Sequence, residues 1–508
     1  MSSKTPIQDF YSGANIFVTG GTGFMGKVLL EKMLRDLPDL GNIFILVRGK
    51  RGLDPEKRLE AIKQLPVFER LRSTNPKALN KLIVVEGSLS EENLGLSEEN
   101  RKRVTETVSV VFHMAASLRL EAGVKDAVLA NTLGTKRVMD LCKQMKNIKS
   151  VIHLSTAFCH VEIEVLEEKV YKPNCDPYEM IKYVQTESEK VLDEKKEELI
   201  HPHPNSYTFS KRLAESIAHD YTQDLPIAIA RPSIVIPALK EPTPGWVDNL
   251  NGPVGILVAS GKGVLRSVLC NEKYYAEFIP VDCAINALII FAFFRGTEKK
   301  RETYVINITT PRDIVEITWA EVMNKGRVAM WKYPFEWMLW YPNGTIRTNV
   351  YIHWLIMILF QWIPAILLDI LFFILRRERF MIRVQKKIKV GLEVLSYFTL
   401  HEWNFKNPWS VALIKRIVNE DEAKIFYTTN VTFDIDMFFE VMIVGTRKYC
   451  LKEDLATLKY SRIHLKVLYI LHIFFKYLIM YYAVWYCLKL VGISDLLTVN
   501  HWFPSSRV

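Results

Sequence analysis

The sequence lacks the cysteine pattern of a protein held together by disulfides or structural zinc. Its 508 residues include seven cysteines, an odd number, and no two of them form a C-x-x-C pair. A disulfide framework is therefore not expected, and the pattern favours reduced thiols in a cytosol-facing protein. We expect no metal site, because His201 and His203 alternate with proline in HPHP, which indicates a loop. The first 13 residues have no apolar run, so no secretory signal is expected.

A strong excess of charge of either sign is also missing. Lys and Arg exceed Asp and Glu by 66 − 56 = 10, an excess that would suit nucleic acid, anionic lipid or a phosphorylated ligand without choosing among them. Hydrophobic residues make up 49% of the chain although 24% is charged, so contact with a membrane has to be considered. A chain of this length is expected to form two or more domains.

The first half alternates short β-rich runs with stretches long enough for helices. Continuous apolar strands of this kind are typical of a parallel sheet covered on both faces, and their alternation with helices predicts a doubly wound α/β Rossmann sheet. The runs are NIFV (15–18), NIFILV (42–47), KLIVVEG (81–87), VSVVFHMA (108–115), KSVIHLS (149–155) and PIAIARPS (226–233), with YVINITT (304–310) as a last strand. Residues 241–255, rich in Pro and Gly, predict either a loop over a substrate cleft or an ordinary surface connection.

Two apolar stretches of membrane-spanning length follow, at 350–375 and 467–488. Both contain polar residues that a lipid-facing helix seldom keeps, so a pair of buried helices is the alternative. Residues 376–389 hold seven Lys or Arg against one Glu, which marks a cytosolic flank. A crossing at 350–375 would place the first domain on the opposite face. We therefore expect a re-entrant or interfacial first segment, with its basic flank on anionic headgroups, and an anchor at 467–488.

A glycine cluster, TGGTGFMG, follows the first strand directly. It satisfies the G-x-G-x-x-G pattern with Gly21, Gly23 and Gly26, and an offset pattern that begins at Thr19 and Gly20. A strand before it and an amphipathic helix after it make the motif more specific. Glycines at such a turn let a pyrophosphate approach the amides at the positive end of a helix. We therefore expect the cluster, including Thr22 and Phe24, to bind a dinucleotide.

The end of the second strand bears on which dinucleotide binds. An NAD enzyme is expected to have Asp or Glu there for the ribose hydroxyls. This chain has Arg48, Lys50 and Arg51 and no acid. Arginine suits a 2′-phosphate, so the sequence favours NADPH; a solvated basic turn is the alternative.

A candidate proton donor lies in YTFSK, where Tyr207 and Lys211 are four residues apart and share a helix face. A charged lysine beside a phenol would lower the pKa of the tyrosine, which could then protonate a carbonyl oxygen as hydride arrives. LSTA (154–157) ends the fifth strand with Ser155 and Thr156, and one of these hydroxyls could bind the same oxygen. The alternative for the tyrosine–lysine pair is that this spacing occurs by chance. The alternative for the two hydroxyls is that they only stabilise a turn or cap a helix.

Six motifs follow one another along the chain, namely TGGTGFMG, FHMAAS (112–117), NTLGT (131–135), LSTA, YTFSK and RPSIV (231–235). Their order and spacing are those of the extended short-chain dehydrogenase/reductases, and the chain resembles the alcohol-forming fatty acyl-CoA reductase branch of that superfamily. The resemblance covers roughly 14–290 as an NADP-binding domain and 355–455 as the C-terminal domain of that family. The domains expected are a tail at 1–13, the reductase domain at 14–290, an extension at 291–349, the C-terminal domain at 350–466, an anchor at 467–488 and a tail at 489–508.

The resemblance implies roles for individual residues. Tyr207 would be the catalytic acid, Lys211 its pKa partner and a ligand of the cofactor ribose, and Thr156 the oxyanion donor, with Ser155 as alternative. The remaining implied cofactor contacts are Thr19, Gly20, Gly23, Phe24 and Gly26 at the pyrophosphate, Ala115 and Ala116 beside the adenosine and ribose, Asn131 as a support, and Pro232 and Ile234 at the nicotinamide. The family usually places Asp after the third strand to meet adenine, whereas this chain has Ser88, which puts cofactor affinity in doubt more than the fold.

The reaction implied is reduction of a long-chain fatty acyl-CoA to a primary alcohol by two hydride transfers from NADPH, through an aldehyde and with release of CoA. The expected partners are the acyl-CoA and membrane lipid, with no nucleic acid; a homodimer is compatible with the sequence. The catalytic domain would face the cytosol, by default at the endoplasmic reticulum, with the peroxisome as alternative. Two other functions remain open, a membrane-bound hydroxysteroid dehydrogenase and a non-catalytic lipid-binding protein on the same fold.

Overall fold

A computed structural model describes residues 5–49, 54–428 and 433–490. The strands in these residues are β1 Asn15–Thr19, β2 Ile43–Val47, β3 Leu82–Glu86, β4 Val108–His113, β5 Ser150–Leu154, β6 Ile227–Pro232, β7 Ile234–Ile236, β8 Ser267–Leu269, β9 Phe278–Pro280, β10 Tyr304–Ile308 and β11 Thr345–Arg347. The centre is a seven-stranded, wholly parallel sheet in the order β10-β6-β5-β4-β1-β2-β3. The predicted doubly wound sheet is thereby confirmed, including the last strand.

The sheet is buried on both faces because its strands are mainly apolar, although β4, β5 and β6 also bury His113, His153 and Arg231. Along β1, Ile16 and Val18 belong to one apolar cluster while Phe17 belongs to the cluster on the other face, as the two-residue period of a strand requires. Helices α2 and α13 cover the first face, and α7 and α11 pack on the second. Two small parallel pairs, β7 with β9 and β8 with β11, lie outside the main sheet.

The helices of the reductase half connect these strands. Residues Val124–Cys142 form one continuous helical run, in which Val128–Leu133 is a π-helical turn between α6 and α7. The helices are α1 Pro6–Tyr11, α2 Phe24–Asp36, α3 Pro55–Lys63, α4 Glu69–Thr74, α5 Glu98–Thr107, α6 Val124–Ala127, α7 Gly134–Cys142, α8 Pro177–Thr186, α9 Glu189–Glu194, α10 Lys196–Ile200, α11 Ser206–Asp220, α12 Pro253–Gly261, α13 Val281–Thr297 and α14 Trp319–Lys332.

The C-terminal part is helical and packs onto the reductase half. Glu168 accepts hydrogen bonds from the backbone N–H groups of Trp409 and Ser410, at 2.9 and 3.1 Å, and Asn407 donates to the carbonyl of Thr309 at 3.0 Å. Its helices are α15 Val350–Met357, α16 Ile363–Ile374, α17 Met381–Leu400, α18 Pro408–Ile417, α19 Glu420–Ile425, α20 Ile435–Gly445 and α21 Leu458–Leu490, with a π-helical turn, Ile358–Trp362, joining α15 to α16.

Two of these helices are long and apolar enough to cross a membrane, namely the continuous Val350–Ile374 and the helix that contains α21. Both expose most of their apolar side chains, so the alternative of two buried core helices is wrong. The two helices differ in how they contact the rest of the protein.

Candidate active site

The candidate site lies at the carboxyl edge of the sheet, where β1, β4 and β5 end side by side. A glycine turn follows β1, and the predicted proton donor lies on α11, which begins where Asn205 accepts a hydrogen bond from the backbone N–H of Thr208 at 2.9 Å. Ligands of open parallel sheets bind at this edge.

The glycine turn is closed so tightly that side chains would not fit. Gly20 has φ +79°, and a Cβ there would lie 2.7 Å from the backbone nitrogen of Ala115; a Cβ on Gly26 would lie 2.2 Å from the carbonyl oxygen of Gly20. Gly23 caps α2, so the first amides of this helix face the turn at its positive end. This arrangement fits the pyrophosphate of a dinucleotide.

Polar contacts hold the turn against β4. The hydroxyl of Thr19 is 2.7 Å from Nδ1 of His113 and accepts a hydrogen bond from the N–H of Ala115 at 3.2 Å. Burial, with Lys211 as a second cause, lowers the pKa of His113 to about 3, so the ring is neutral and serves as a structural hydrogen-bonding group. Ala115 and Ala116 are half-buried just beyond β4, next to the glycine turn.

Two arginines meet beside the turn. Arg48 is exposed at the end of β2, and Arg58 donates to the carbonyl of Arg48 at 3.0 Å and to the hydroxyl of Thr22 at 3.1 Å. Burial and the charge of Arg48 lower the pKa of Arg58, as expected for two cations at close range. Arg58 was missed by sequence reasoning because it lies eleven residues beyond the end of β2. The predicted contacts Lys50 and Arg51 lie outside the described residues.

Tyr207 and Lys211 lie on α11 as predicted, one turn apart. Lys211 is buried and donates to the carbonyl of Leu154, at the end of β5, at 2.6 Å. Burial lowers the pKa of Lys211 to about 8. The expected fall in the pKa of Tyr207 is not found; its enclosed surroundings, followed by the nearby Cys159, raise it above the ordinary value. The phenol therefore keeps its proton at neutral pH.

The two candidate hydroxyls after β5 have different partners. Ser155 donates its proton to the carboxylate of Glu215 at 2.8 Å. The hydroxyl oxygen of Thr156 accepts the N–H of Phe158 at 3.3 Å, which leaves its own proton available. The contacts therefore favour Thr156 over Ser155 as the donor to a substrate oxygen.

A buried ion pair stands behind these residues and was missed by the sequence analysis. Glu215 is 1% exposed, and its carboxylate accepts hydrogen bonds from both Nε and Nη2 of Arg231. Burial opposes the charge of Glu215, but Arg231 and then the Ser155 hydroxyl hold its pKa below the usual range. Cys159 and His160 converge on the same carboxylate. The signal was available, because residue 215 follows 207 and 211 at the same four-residue spacing.

The remaining predicted contacts lie around the same edge. Asn131, in the π-helical turn, donates to the hydroxyl of Ser210 on α11 at 2.9 Å and accepts the N–H of Ser117 at 2.7 Å, so it ties the chain after β4 to the tyrosine helix. Pro232 ends β6 and Ile234 begins β7. Ser88 follows β3, with its hydroxyl 2.8 Å from that of Ser90.

The loop between β7 and α12 covers the glycine turn. Trp246 is 1% exposed and stacks on Phe24 with ring centroids 5.3 Å apart, and Lys27 forms an ion pair with Asp248. Gly245 touches Gly445 at the end of α20, where a Cβ on Gly445 would lie 1.9 Å from the carbonyl oxygen of Gly245. A helix of the C-terminal part thus contacts the loop that covers the nucleotide turn.

An apolar cavity lies beyond this loop. Its walls come from α12, α14 and α20 together with β8 and β11, and nearly all of the lining atoms are apolar. Gly326 on α14 lines it, and a Cβ there would lie 3.4 Å from Cδ1 of Leu257 on the facing helix. Other side chains in the wall are Ile256, Val268, Trp319, Met323 and Met442.

The parallel sheet, glycine turn and tyrosine–lysine helix define the chain as an NAD(P)H-dependent oxidoreductase of the Rossmann type. Two family models match it, both described as male sterility protein, an NAD-binding one over residues 18–288 and a second over 360–453. Fatty acyl-CoA reductase 1 of Homo sapiens is 33% identical over 91% of this chain and 89% of its own length. Fatty acyl-CoA reductase wat of Drosophila melanogaster is 32% identical over 96% and 95%. The chain belongs to the fatty acyl-CoA reductase family.

Solved structures share the fold at low sequence identity. The reductase domain of a nonribosomal peptide synthetase from Mycobacterium tuberculosis has a TM-score of 0.57 at 15% identity and covers 87% of this chain and 96% of its own. The terminal R domain of the myxalamid pathway has a TM-score of 0.55 at 15% identity, with 87% and 93% covered. These likenesses concern the fold alone.

Proposed function

We propose that the chain reduces long-chain fatty acyl-CoA to the primary fatty alcohol with NADPH, on a membrane and with its catalytic domain facing the cytosol, by default at the endoplasmic reticulum. The observation that supports this most is the meeting of the Tyr207 helix, the Thr156 hydroxyl and the glycine turn at one edge of the sheet, in a chain of the fatty acyl-CoA reductase family.

In this mechanism NADPH, when bound, supplies one hydride to the thioester carbonyl carbon and, in a second round, another to the aldehyde carbon. Thr156 donates a hydrogen bond to the carbonyl oxygen, and Tyr207 gives that oxygen its proton. Lys211, on α11 and bonded to the carbonyl of Leu154 at the end of β5, binds the cofactor ribose and restores the proton of the phenol. The hemithioacetal then loses the CoA thiol. The balance is two hydrides and two protons added for each alcohol and free thiol formed.

The preference for NADPH is assigned to Arg48 and Arg58. Arg58 contacts both Thr22 of the glycine turn and the backbone of Arg48. Two arginines at this position suit an anion, and the 2′-phosphate distinguishes NADPH from NADH. Arg58 is held in place by Thr22 and by the carbonyl of Arg48, so little conformational freedom would be lost on binding.

The acyl chain is assigned to the apolar cavity between α12, α14 and α20. An alkyl chain gains free energy there in proportion to the apolar surface that it removes from water. The polypeptide runs from Ile234 through the loop over the glycine turn into α12. One continuous protein segment therefore links the cofactor side of the site to the cavity.

The test is NADPH oxidation by membranes that contain the full chain, supplied with a long-chain acyl-CoA or with a sterol substrate, and analysed for product. The proposal predicts the primary alcohol and free CoA in a ratio of one to one. Turnover of the sterol alone would instead support a hydroxysteroid dehydrogenase, and no turnover of either would support the non-catalytic alternative.

A further inference from the structure

We propose that the hairpin made by Val350–Ile374 and α17 lies in the plane of an anionic lipid bilayer and docks on it without crossing. The inference concerns a binding surface and does not depend on the proposed reaction. We call the exposed apolar side of Val350–Ile374 the docking face. The docking face contacts the acyl region of the bilayer, and the basic residues in 376–389 bind the lipid headgroups.

The apolar helix buries one narrow stripe, formed by residues at a constant spacing of four. This spacing runs through the π-helical turn at Ile358–Trp362, which keeps the stripe on one side. Three polar side chains of this stripe point toward the rest of the protein, where each forms hydrogen bonds. Its members are His353, Met357, Gln361, Ala365 and Asp369.

The polar members of the stripe bind the reductase half or the returning helix. His353 Nδ1 lies 2.9 Å from the hydroxyl of Ser267 in β8, and the side-chain oxygen of Gln361 accepts the N–H of Arg266 at 2.7 Å. Asp369 accepts the backbone N–H groups of Phe380, Met381 and Ile382, at 2.9 to 3.0 Å, and so caps the start of α17. The polar residues that interrupt the apolar sequence are thus turned away from the docking face.

The opposite side of the same helix is apolar and open. The apolar side chains named next are each at least 43% exposed. A single exposed apolar residue is ordinary on a soluble protein, but a whole apolar face marks a site of interaction. They include Leu355, Leu359, Ile366, Leu367, Ile370 and Phe373. A helix that is polar on its attached side and broadly apolar on the other is suited to lie in a membrane interface.

Both ends of the hairpin are hydrogen-bonded to the same short strand, β8. Before it, β11 pairs with β8; after it, Thr399 at the end of α17 donates to the carbonyl of Leu269 in β8 at 2.8 Å. A bilayer core is about 30 Å thick, so it cannot separate two ends that bond to one strand. A single crossing by Val350–Ile374 is therefore incompatible with the fold, which agrees with the re-entrant or interfacial segment expected from the sequence.

The charge of the hairpin selects a bilayer over a second copy of the chain. Residues 376–389 carry seven Lys or Arg and one Glu, and Arg376, Arg377, Arg379, Lys386 and Lys387 are exposed. Two such faces brought together would repel each other. An anionic bilayer surface would instead attract each of these basic residues.

Helix α21 provides an internal comparison. Its first turns pack on the reductase side, where Leu465 and Leu468 contact Met338 and Trp340 donates to His472 at 3.3 Å. Beyond that point nearly every side chain is exposed, including Phe474, Ile479 and Val484. It lacks the buried stripe of the hairpin and therefore has the form of an anchor surrounded by lipid.

The test uses the full chain reconstituted into vesicles of phosphatidylcholine with or without phosphatidylserine, and a carbene photolabel confined to the acyl region. Labelled peptides are quantified by mass spectrometry, with the peptides of α21 as the internal reference. We expect the docking face to be labelled in anionic vesicles, at several-fold lower yield in neutral ones, while labelling of α21 stays constant.

A variant with Arg376, Arg377 and Arg379 changed to Gln should reduce the labelling of the hairpin in anionic vesicles at least threefold, whereas Arg101→Gln, on the remote helix α5, should not. An unlabelled hairpin beside a labelled α21 would overturn the proposal. Equal labelling in neutral and anionic vesicles would overturn the role of the basic residues, and a face shielded by a cross-linkable second copy would overturn the bilayer as its occupant.

Discussion

The replacement Arg58→Gln tests the assignment of cofactor preference. Arg58 is half-buried, lies beside Arg48 and is held by Thr22, so its guanidinium is positioned before any ligand binds. A hydrogen bond to a charged group contributes about 1.5–3 kcal/mol. Because Arg58 is partly open to solvent, the lower part of this range applies, and about 1.5–2 kcal/mol corresponds to a roughly 10- to 30-fold rise in KM for NADPH.

The assay measures kcat and KM with NADPH and with NADH for Arg58→Gln and for a matched control, Arg101→Gln. Arg101 is also half-buried and bonds a neutral side chain, Gln144, at 2.8 Å. We expect Arg58→Gln to raise KM for NADPH alone and the control to change neither constant. An unchanged KM for NADPH, or equal rises for both nucleotides, would refute the assignment of the 2′-phosphate to this arginine pair.

Three further predictions follow from the site. Glu215→Gln removes the charge that balances the buried Arg231, which costs about 3–5 kcal/mol. The thermal midpoint should fall well below that of Glu162→Gln, because the carboxylate of Glu162 is partly open to solvent whereas that of Glu215 is buried; equal midpoints would contradict this. Gly326→Leu should displace about three methylenes of a bound acyl chain, and burying each contributes about 0.8 kcal/mol. The preference in kcat/KM should therefore shift roughly 50-fold toward medium-chain acyl-CoA. The control Val328→Leu, on the exposed side of α14, should leave the preference unchanged. Finally, kcat/KM for NADPH should fall as the pH rises through about 8, where buried Lys211 loses its charge. The pKa of Lys211 is lower in the folded than in the unfolded protein, so its deprotonation makes the folded state more stable above that pH. If the measured stability does not fall over this pH range, unfolding is excluded as the cause of the lost activity. A kcat/KM that does not change with pH would contradict the role of Lys211.

Much of the fold could be predicted because its signals are local. The continuous apolar strands and the glycine cluster after β1 fixed the parallel sheet and its binding edge, since a buried strand and a tight turn each leave a short sequence pattern. The tyrosine–lysine spacing likewise placed both side chains on α11. Their assigned roles stay predictions.

What could not be predicted depends on contacts between distant segments. The prediction that the pKa of Tyr207 falls was wrong. The spacing of Tyr207 and Lys211 shows neither how enclosed the phenol is nor that the Lys211 ammonium bonds the carbonyl of Leu154. The position of Glu215 could be read from its spacing on α11, but its partner Arg231 and the contacts of Arg58 emerge only when β6 and α3 pack beside the site. The inward stripe of the apolar helix depends on β8, which lies about ninety residues earlier.

The central claim is that Tyr207 protonates the substrate oxygen during reduction of a fatty thioester. Its most direct test is formation of fatty alcohol by membranes containing the Tyr207→Phe chain, with NADPH binding measured on the same preparation. We predict that alcohol formation falls at least a hundredfold, in line with the loss of a general acid, while NADPH still binds. Unchanged alcohol formation with the phenylalanine in place would contradict the account.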